Sequence, residues 1–486
     1  MKLIGRVNEQ NKLDHLLHSN EAELLAIYGR RRVGKTFLIR EFFKGKGVFF
    51  EIVGQKNASY KTQLENFYQS IYETFLPDLP IKKPESWKEA FSILTTLVKY
   101  HPKKNKIILF FDELPWLATK RSGLIEALDY EWNSQWSRID NLILIVCGSA
   151  ALWILEKLIN AKGGLHNRIT DTIHLHPFSL YETDLYLKSR GIRLKPMQTL
   201  ELYMVMGGIP HYLRQIKKGK SSTQQINSLC FHKDGFLFSE FNRLFESLFD
   251  CSDIHNTIIR EIAKKRNGIS RNDLLTATGL SSGGTFKKRI MELKESGFIE
   301  EFVPFGKKKK EVMIKIVDEY TLFFLNWIEP VFNKGTIKYH PNYWFNMSST
   351  PSYKIWSGYA FEAICMKHIN YILQRLEINH MAGEIATWRY KTSSKSDSIG
   401  AQIDLVIDRN DNSINICEIK FSNTNFIIDK DYARKLMNKI SVFEKQIQTN
   451  KQIFLTMITT LGIKKNLWSE DLVDSEVVLD DFFINS

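Results

Sequence analysis

Gly29-Arg30-Arg31-Arg32-Val33-Gly34-Lys35-Thr36 fits the pattern G-x-x-x-x-G-K-[ST]. Two glycines at this spacing let successive backbone N–H groups turn inward around phosphate oxygens. A helix starting at the lysine adds the positive end of its dipole. The spacing predicts a short strand over 23–28 and a helix over 36–43. Gly29, Arg32, Val33, Gly34, Lys35, Thr36 and Phe37 are then the candidate nucleotide contacts. Lys35 is expected to reach the β- and γ-phosphates, and the Thr36 hydroxyl to ligate Mg²⁺.

Ile107-Ile108-Leu109-Phe110-Phe111-Asp112-Glu113 supplies the partner motif. The runs 106–111 and 142–147 are apolar without alternation, as parallel strands covered on both faces are. The first would deliver Asp112 to the magnesium shell. Glu113 would follow where a carboxylate can orient or deprotonate the attacking water. Residues 1–176 therefore read as an α/β unit. Residues 177–250 carry helical periodicity broken at Gly207-Gly208-Ile209-Pro210. Residues 321–354, aromatic and punctuated by Pro330, Pro341 and Pro351, read as a linker. From 355 a helix (356–373), strands (402–407 and 413–419), a helix (430–447) and a strand (452–456) are expected.

Ile4-Gly5-Arg6 with Glu9, the phosphate loop, Asp112-Glu113-Leu114-Pro115-Trp116, Cys147-Gly148-Ser149-Ala150 and Gly207-Gly208-Ile209-Pro210 together resemble the archaeal-type ATPase family, within the AAA+/STAND class of P-loop ATPases. The resemblance covers about residues 1–330. It implies an ATPase core (1–176), a helical lid (177–250) and a winged helix (251–320). It places Gly5 and Arg6 near the adenine and makes Ser149 a polar γ-phosphate sensor. It brings the turn at Pro210 over the nucleotide, and it makes Arg168 a candidate arginine finger. Ser149 departs from the Asn or Thr commonest at such sensors.

The 486 residues carry 67 Lys+Arg against 54 Asp+Glu, a net charge of +13. That excess suits a polyanion such as DNA. Hydrophobic residues at 43% and charged residues at 25% exclude wholesale disorder. No apolar run approaches the roughly 20 residues of a membrane span, so no membrane partner is expected. The first residues turn polar at once, unlike a signal peptide. Five scattered cysteines without a C-x-x-C pair suit a reducing, cytoplasmic setting.

Residues 269–298 read as helix, turn at Gly279, helix over 281–295, with Lys287, Lys288 and Arg289 on the second helix. A hairpin over 302–315 would carry Lys307, Lys308, Lys309 and Lys310 at its tip. A helix-turn-helix offers its second helix to the major groove, and a basic wing meets phosphates. The same module also serves as a protein-docking element, so both roles stay open.

Asp404, on an expected strand, and Glu418-Ile419-Lys420, on the next, would meet across a hairpin turning at 411–413. Alternation puts Glu418 and Lys420 on one face and Ile419 in the core. Asp404 and Glu418 could then hold Mg²⁺ or Mn²⁺, with Glu362 as a further carboxylate and Lys420 assisting attack on phosphate. These residues resemble the PD-(D/E)XK nuclease superfamily, most nearly its Holliday-junction-resolvase branch, over residues 355–460. Ile403 stands where the superfamily name has proline. The combined expectation for the chain is an α/β P-loop ATPase with winged helix and a C-terminal restriction-endonuclease-like domain. ATP state would control DNA binding and cleavage, with assembly of like chains left open. The alternative is a STAND-type signalling switch whose C-terminal domain only docks partners.

Overall fold

The computed structural model describes residues 2–76, 81–102, 105–160, 167–333, 342–390 and 400–484. The chain divides into two units. One comprises Met1–Pro177 with Lys288–Gly297; the other comprises Phe178–Lys287 with Phe298–Ser486.

In the first unit the two apolar runs become β3 (Ile107–Asp112) and β4 (Leu142–Gly148), buried along their whole length. They join β1 (Glu23–Tyr28), β2 (Val48–Val53) and β5 (Asp171–His174) in a parallel sheet of order β2-β3-β4-β1-β5. Helices cover the sheet, and on one face Phe50, Phe67, Phe91 and Phe111 interlock with Trp87 and Trp136. Aromatic side chains remove large apolar areas from water, which makes this layer the unit's main source of stability. Because β4 lies between β1 and β3, the residues following these three strands meet at one edge. That edge carries the phosphate loop, Ser149 and Asp112, and the carboxyl ends of parallel strands are where such sheets bind ligands.

The second unit opens with helices, including Leu180–Ser189 and Pro196–Met206. The latter ends at Gly207, and Gly208 follows with φ of 68°. A Cβ at Gly208 would stand 2.1 Å from the Phe178 carbonyl oxygen, so only glycine fits the turn. Helices Ser252–Ala263 and Arg271–Thr278 accompany β6 (Ile269–Ser270), β7 (Ile299–Phe302) and β8 (Met313–Ile316), while helix Gly284–Glu295 is divided between the units at Lys288. The three strands are antiparallel in the order β6-β8-β7. The second helix of the expected helix-turn-helix starts at Gly284 rather than 281, since Ser281-Ser282-Gly283 turn before it. Between β7 and β8 the Phe305 N–H donates to the Thr387 carbonyl (2.9 Å), and the Phe305 ring packs on Phe443. The wing is thus anchored to the C-terminal sheet.

The stretch expected as a linker at 321–354 is instead helical where described. Helices Glu319–Phe323, Glu329–Asn333 and Tyr343–Met347 lie along it, and Phe323, Trp327 and Trp344 are buried against Trp356. Aromatic density here signals a core. Pro351 stands at the first turn of helix Pro351–Lys367, where its missing N–H costs nothing. Pro341 lies outside the described residues.

Strands β9 (Ala382–Tyr390), β10 (Ala401–Arg409), β11 (Ser413–Lys420), β12 (Gln452–Thr459) and β13 (Ser475–Val478) form a sheet of order β13-β12-β11-β10-β9. β9, β10 and β11 are an antiparallel meander; β11, β12 and β13 are parallel, with helix Lys430–Ile447 crossing between β11 and β12. The helix expected over 356–373 is two helices, Pro351–Lys367 and Ile369–Arg375. They part at buried His368, whose Nδ1 meets the Ile364 carbonyl (2.8 Å) while Nε2 accepts the Leu180 N–H (3.0 Å). Burial lowers this imidazole to about 3, so it stays neutral and serves as a fixed joint.

Candidate functional sites

The phosphate loop closes tightly. Gly29 has φ of 138°, and a Cβ there would meet the Leu175 carbonyl oxygen at 2.5 Å; Gly34, at φ 98°, opens the helix Lys35–Phe43. Lys35 is buried, and its ammonium donates to the carbonyls of Gly29 (2.8 Å) and Arg30 (3.0 Å). The Thr36 hydroxyl donates to Asp112 Oδ2 (2.7 Å). Glu113, in left-handed backbone at φ 48°, turns its Oε2 to Ser149, accepting both the N–H and the hydroxyl at 2.9 Å. The arrangement joins the loop threonine, both acids and the serine in one polar chain.

Arg6 is buried and donates to the Val33 carbonyl (3.2 Å), while Gln10 donates to the Gly5 carbonyl (2.6 Å). Arg31 lies 5.6 Å from the Trp116 ring centroid. Phe37 is exposed on the helix. Arg168 is exposed. Pro210 starts a short helix in the second unit. Thr36 and Asp112 give adjacent hydroxyl and carboxylate oxygens, a donor pair that suits Mg²⁺.

In the second unit β10 and β11 pair so that Leu405 faces Cys417, one step from Asp404 and Glu418. The Ile419 N–H donates to Asp404 Oδ2 (3.0 Å), and Lys420 Nζ lies 4.0 Å from the same oxygen. Lys420 also reaches Glu418 Oε1 at 2.8 Å. Ile419 is buried in the core, as alternation requires. Glu362 comes in from helix Pro351–Lys367. Burial, then the Asp404 charge, raises its carboxyl to about 8. Burial and the Glu418 charge also raise Asp404. Burial alone would raise Glu418, but Lys420 and Lys439 outweigh it and hold Glu418 ionised. The structure thus brings Glu362, Asp404, Glu418 and Lys420 to one place.

Two partners in this cluster lie outside the sequence motif. Tyr432 donates to Glu418 Oε1 (2.6 Å), and Lys439 to Oε2 (2.5 Å). They stand seven residues apart on helix Lys430–Ile447, hence on one face. That spacing is the one signal the sequence offers for them. With both oxygens of Glu418 so engaged, no three His, Cys, Asp or Glu side chains among the described residues are placed to hold a metal ion. The three-carboxylate metal site expected at Glu362, Asp404 and Glu418 is therefore not closed in this arrangement.

The basic residues differ in availability. Lys287 and Lys288 are exposed, whereas Arg289 is partly buried against Glu292 (2.8 Å). Lys307 lies 3.4 Å from Glu311, whose carboxylate also accepts the Lys308 N–H (3.0 Å), so Glu311 closes the wing's turn. Lys308, Lys309 and Lys310 remain exposed. No helix among the described residues is long and apolar enough to cross a membrane.

Residues 3–216 match the model of an ATPase domain found predominantly in Archaea. An uncharacterized protein of Methanocaldococcus jannaschii is 23% identical over 430 residues, 86% of this chain and 87% of its own. An uncharacterized ATP-binding protein of the same organism is 42% identical over 45 residues, 9% of this chain and 76% of its own. Among solved structures, a Walker-type ATPase of Pyrococcus abyssi matches at 21% identity and a TM-score of 0.48, covering 66% of this chain and 96% of that one. The ORC2 protein of Aeropyrum pernix matches at 17% identity and a TM-score of 0.42, covering 68% and 94%. The matched segment holds the phosphate loop, Asp112, Glu113 and Ser149, so residues 3–216 are similar to an ATPase domain found predominantly in Archaea.

Proposed function

We propose that this chain couples ATP hydrolysis in its first unit to nucleic-acid binding and metal-dependent phosphodiester cleavage by its second. The gathering of Glu362, Asp404, Glu418 and Lys420 at the β10–β11 hairpin carries the cleavage part of this reading. Three largely buried carboxylates there face two lysines, and burial, then the Asp404 charge, raises the Glu362 carboxyl. Buried acids that repel one another are costly unless they serve a site.

At the ATPase centre Lys35 would exchange its loop carbonyls for the β- and γ-phosphates. Thr36 and Asp112 would hold Mg²⁺, which would supply positive charge against the phosphates. Glu113 would leave Ser149 to accept a proton from, or orient, the attacking water. Ser149, freed, could donate to the γ-phosphate. At the second site the oxygen donors and net charge suit Mg²⁺ or Mn²⁺, a Lewis acid for the scissile phosphate. Asp404 and Glu418 would be its ligands, Glu362 a further one, and Lys420 would offset charge on the phosphate. Lys287, Lys288, Arg289 and the wing lysines would bind DNA phosphates. The free, mostly buried cysteines fit a cytoplasmic location.

A second reading is a nucleotide-driven signalling switch with an inactive C-terminal domain. The engagement of Glu418 by Tyr432, Lys420 and Lys439 favours it, since a metal would have to displace those partners. Incubation of the purified protein with branched and linear DNA, in Mg²⁺ or Mn²⁺, with and without ATP, separates the two. Cutting that disappears in Asp404→Ala supports cleavage. ATP-dependent assembly without cutting supports the switch.

A further inference from the structure

Within the second unit a cavity of about 700 Å³ lies between the winged helix and the C-terminal sheet. Asp404 and Glu362 line it, and so do Lys265 and Arg266, from the loop joining helix Ser252–Ala263 to β6, and Arg389 of β9. These three cations are exposed, and among the described residues none is paired with a carboxylate. Arg266 lies over the Tyr359 ring, 4.6 Å from its centroid, and Tyr359 precedes Glu362 by one helical turn. Trp356 and Trp388 contribute apolar wall. Lys264, Lys307 and Lys315 also line the cavity, as do Glu311 and Glu319, so six cations and an aromatic side meet four acids.

We propose that this cavity receives a single-stranded segment of nucleic acid. Its phosphates would lie on Lys265, Arg266 and Arg389, and an unpaired base would lie against the aromatic wall, bringing the backbone to Asp404. Charge complementarity selects a polyanion. The shape selects a single strand. The volume is that of a pocket for about one or two nucleotides. A duplex keeps its bases stacked inside and offers no free face to an aromatic side chain, whereas an unpaired base does. This assignment rests on the reading that the acid cluster acts on phosphodiesters, and it deepens that reading by naming an unpaired strand or flap as the substrate.

The test is fluorescence anisotropy in metal-free buffer containing EDTA, so that binding is read without cleavage. The probes are a labelled single strand of about twelve nucleotides and the duplex of the same sequence. The single strand is expected to bind more tightly than the duplex. Arg266→Ala with Arg389→Ala should weaken single-strand binding about tenfold. It should also flatten the salt dependence by about 1.4, or about 0.7 per lost contact. Lys265→Glu should act in the same direction. A double variant with unchanged single-strand affinity and salt slope, or one that weakens duplex binding as much as single-strand binding, would overturn the assignment. If the expected binding is found while the wild type cuts nothing in any metal, the cleavage reading fails and the single-strand assignment stands.

Discussion

Glu362→Gln keeps the shape of a mostly buried side chain and removes its charge. Burial, then the Asp404 carboxylate, raises the Glu362 carboxyl from 4.5 to about 8, against the pull of Lys420. The folded state therefore holds this proton more tightly than the unfolded state does. The stability it contributes is full below pH 4.5 and is lost as pH rises through 8. At about 1.36 kcal/mol per pH unit, the span from 4.5 to 8 comes to about 5 kcal/mol. Asp404 is raised in the same cluster, so the two titrate together and this figure is an upper bound for Glu362 alone. A glutamine at this position does not titrate and has no such dependence. The variant should match wild type near pH 5 and exceed it near pH 9, by at most about 5 kcal/mol. Denaturant unfolding followed by tryptophan fluorescence reads this, since Trp356 and Trp388 line the same cavity. A divalent cation should restore wild-type stability at high pH and do less for the variant. Parallel pH profiles for the two proteins would refute the claim that Glu362 sits in an uncompensated negative site.

At the ATPase centre, Lys35→Ala should abolish ATP binding, while Glu113→Gln should keep binding and lose turnover; titration with labelled ATP and a phosphate-release assay check both. Full-affinity binding by Lys35→Ala would contradict the assignment. Neutralising Lys307, Lys308, Lys309 and Lys310 should weaken duplex DNA binding and flatten its salt slope by about 0.9 per lost contact. An unchanged slope would mean that the wing meets only protein or solvent.

The first unit's centre is legible because its chemistry is local: Lys35 and Thr36 follow a loop whose glycines write its shape into eight residues. The buried strands are legible too, since β3 and β4 lack alternation. Strand β2 escapes although Val-Phe-Phe-Glu-Ile-Val has high strand propensity and Gly47 and Gly54 flank it. The 321–354 stretch misleads because its prolines look like breakers while its aromatics carry the structure. Pro351 occupies a helix first turn, and Trp327 and Trp344 pack as core. At the second site Glu418-Ile419-Lys420 can be read from strand alternation, whereas Tyr432 and Lys439 come from a helix whose docking is tertiary. The cavity beside Asp404 is illegible, since its walls are separated by more than a hundred residues of chain.

The proposed coupling predicts one time course above all: cleavage of a labelled flap DNA by the wild type in Mg²⁺ or Mn²⁺, with and without ATP, beside Lys35→Ala and Glu418→Ala. The account predicts cutting by the wild type at a rate that changes with ATP, cutting by Lys35→Ala that ignores ATP, and none by Glu418→Ala. Absence of wild-type cutting in every metal, or normal cutting by Glu418→Ala, would contradict it.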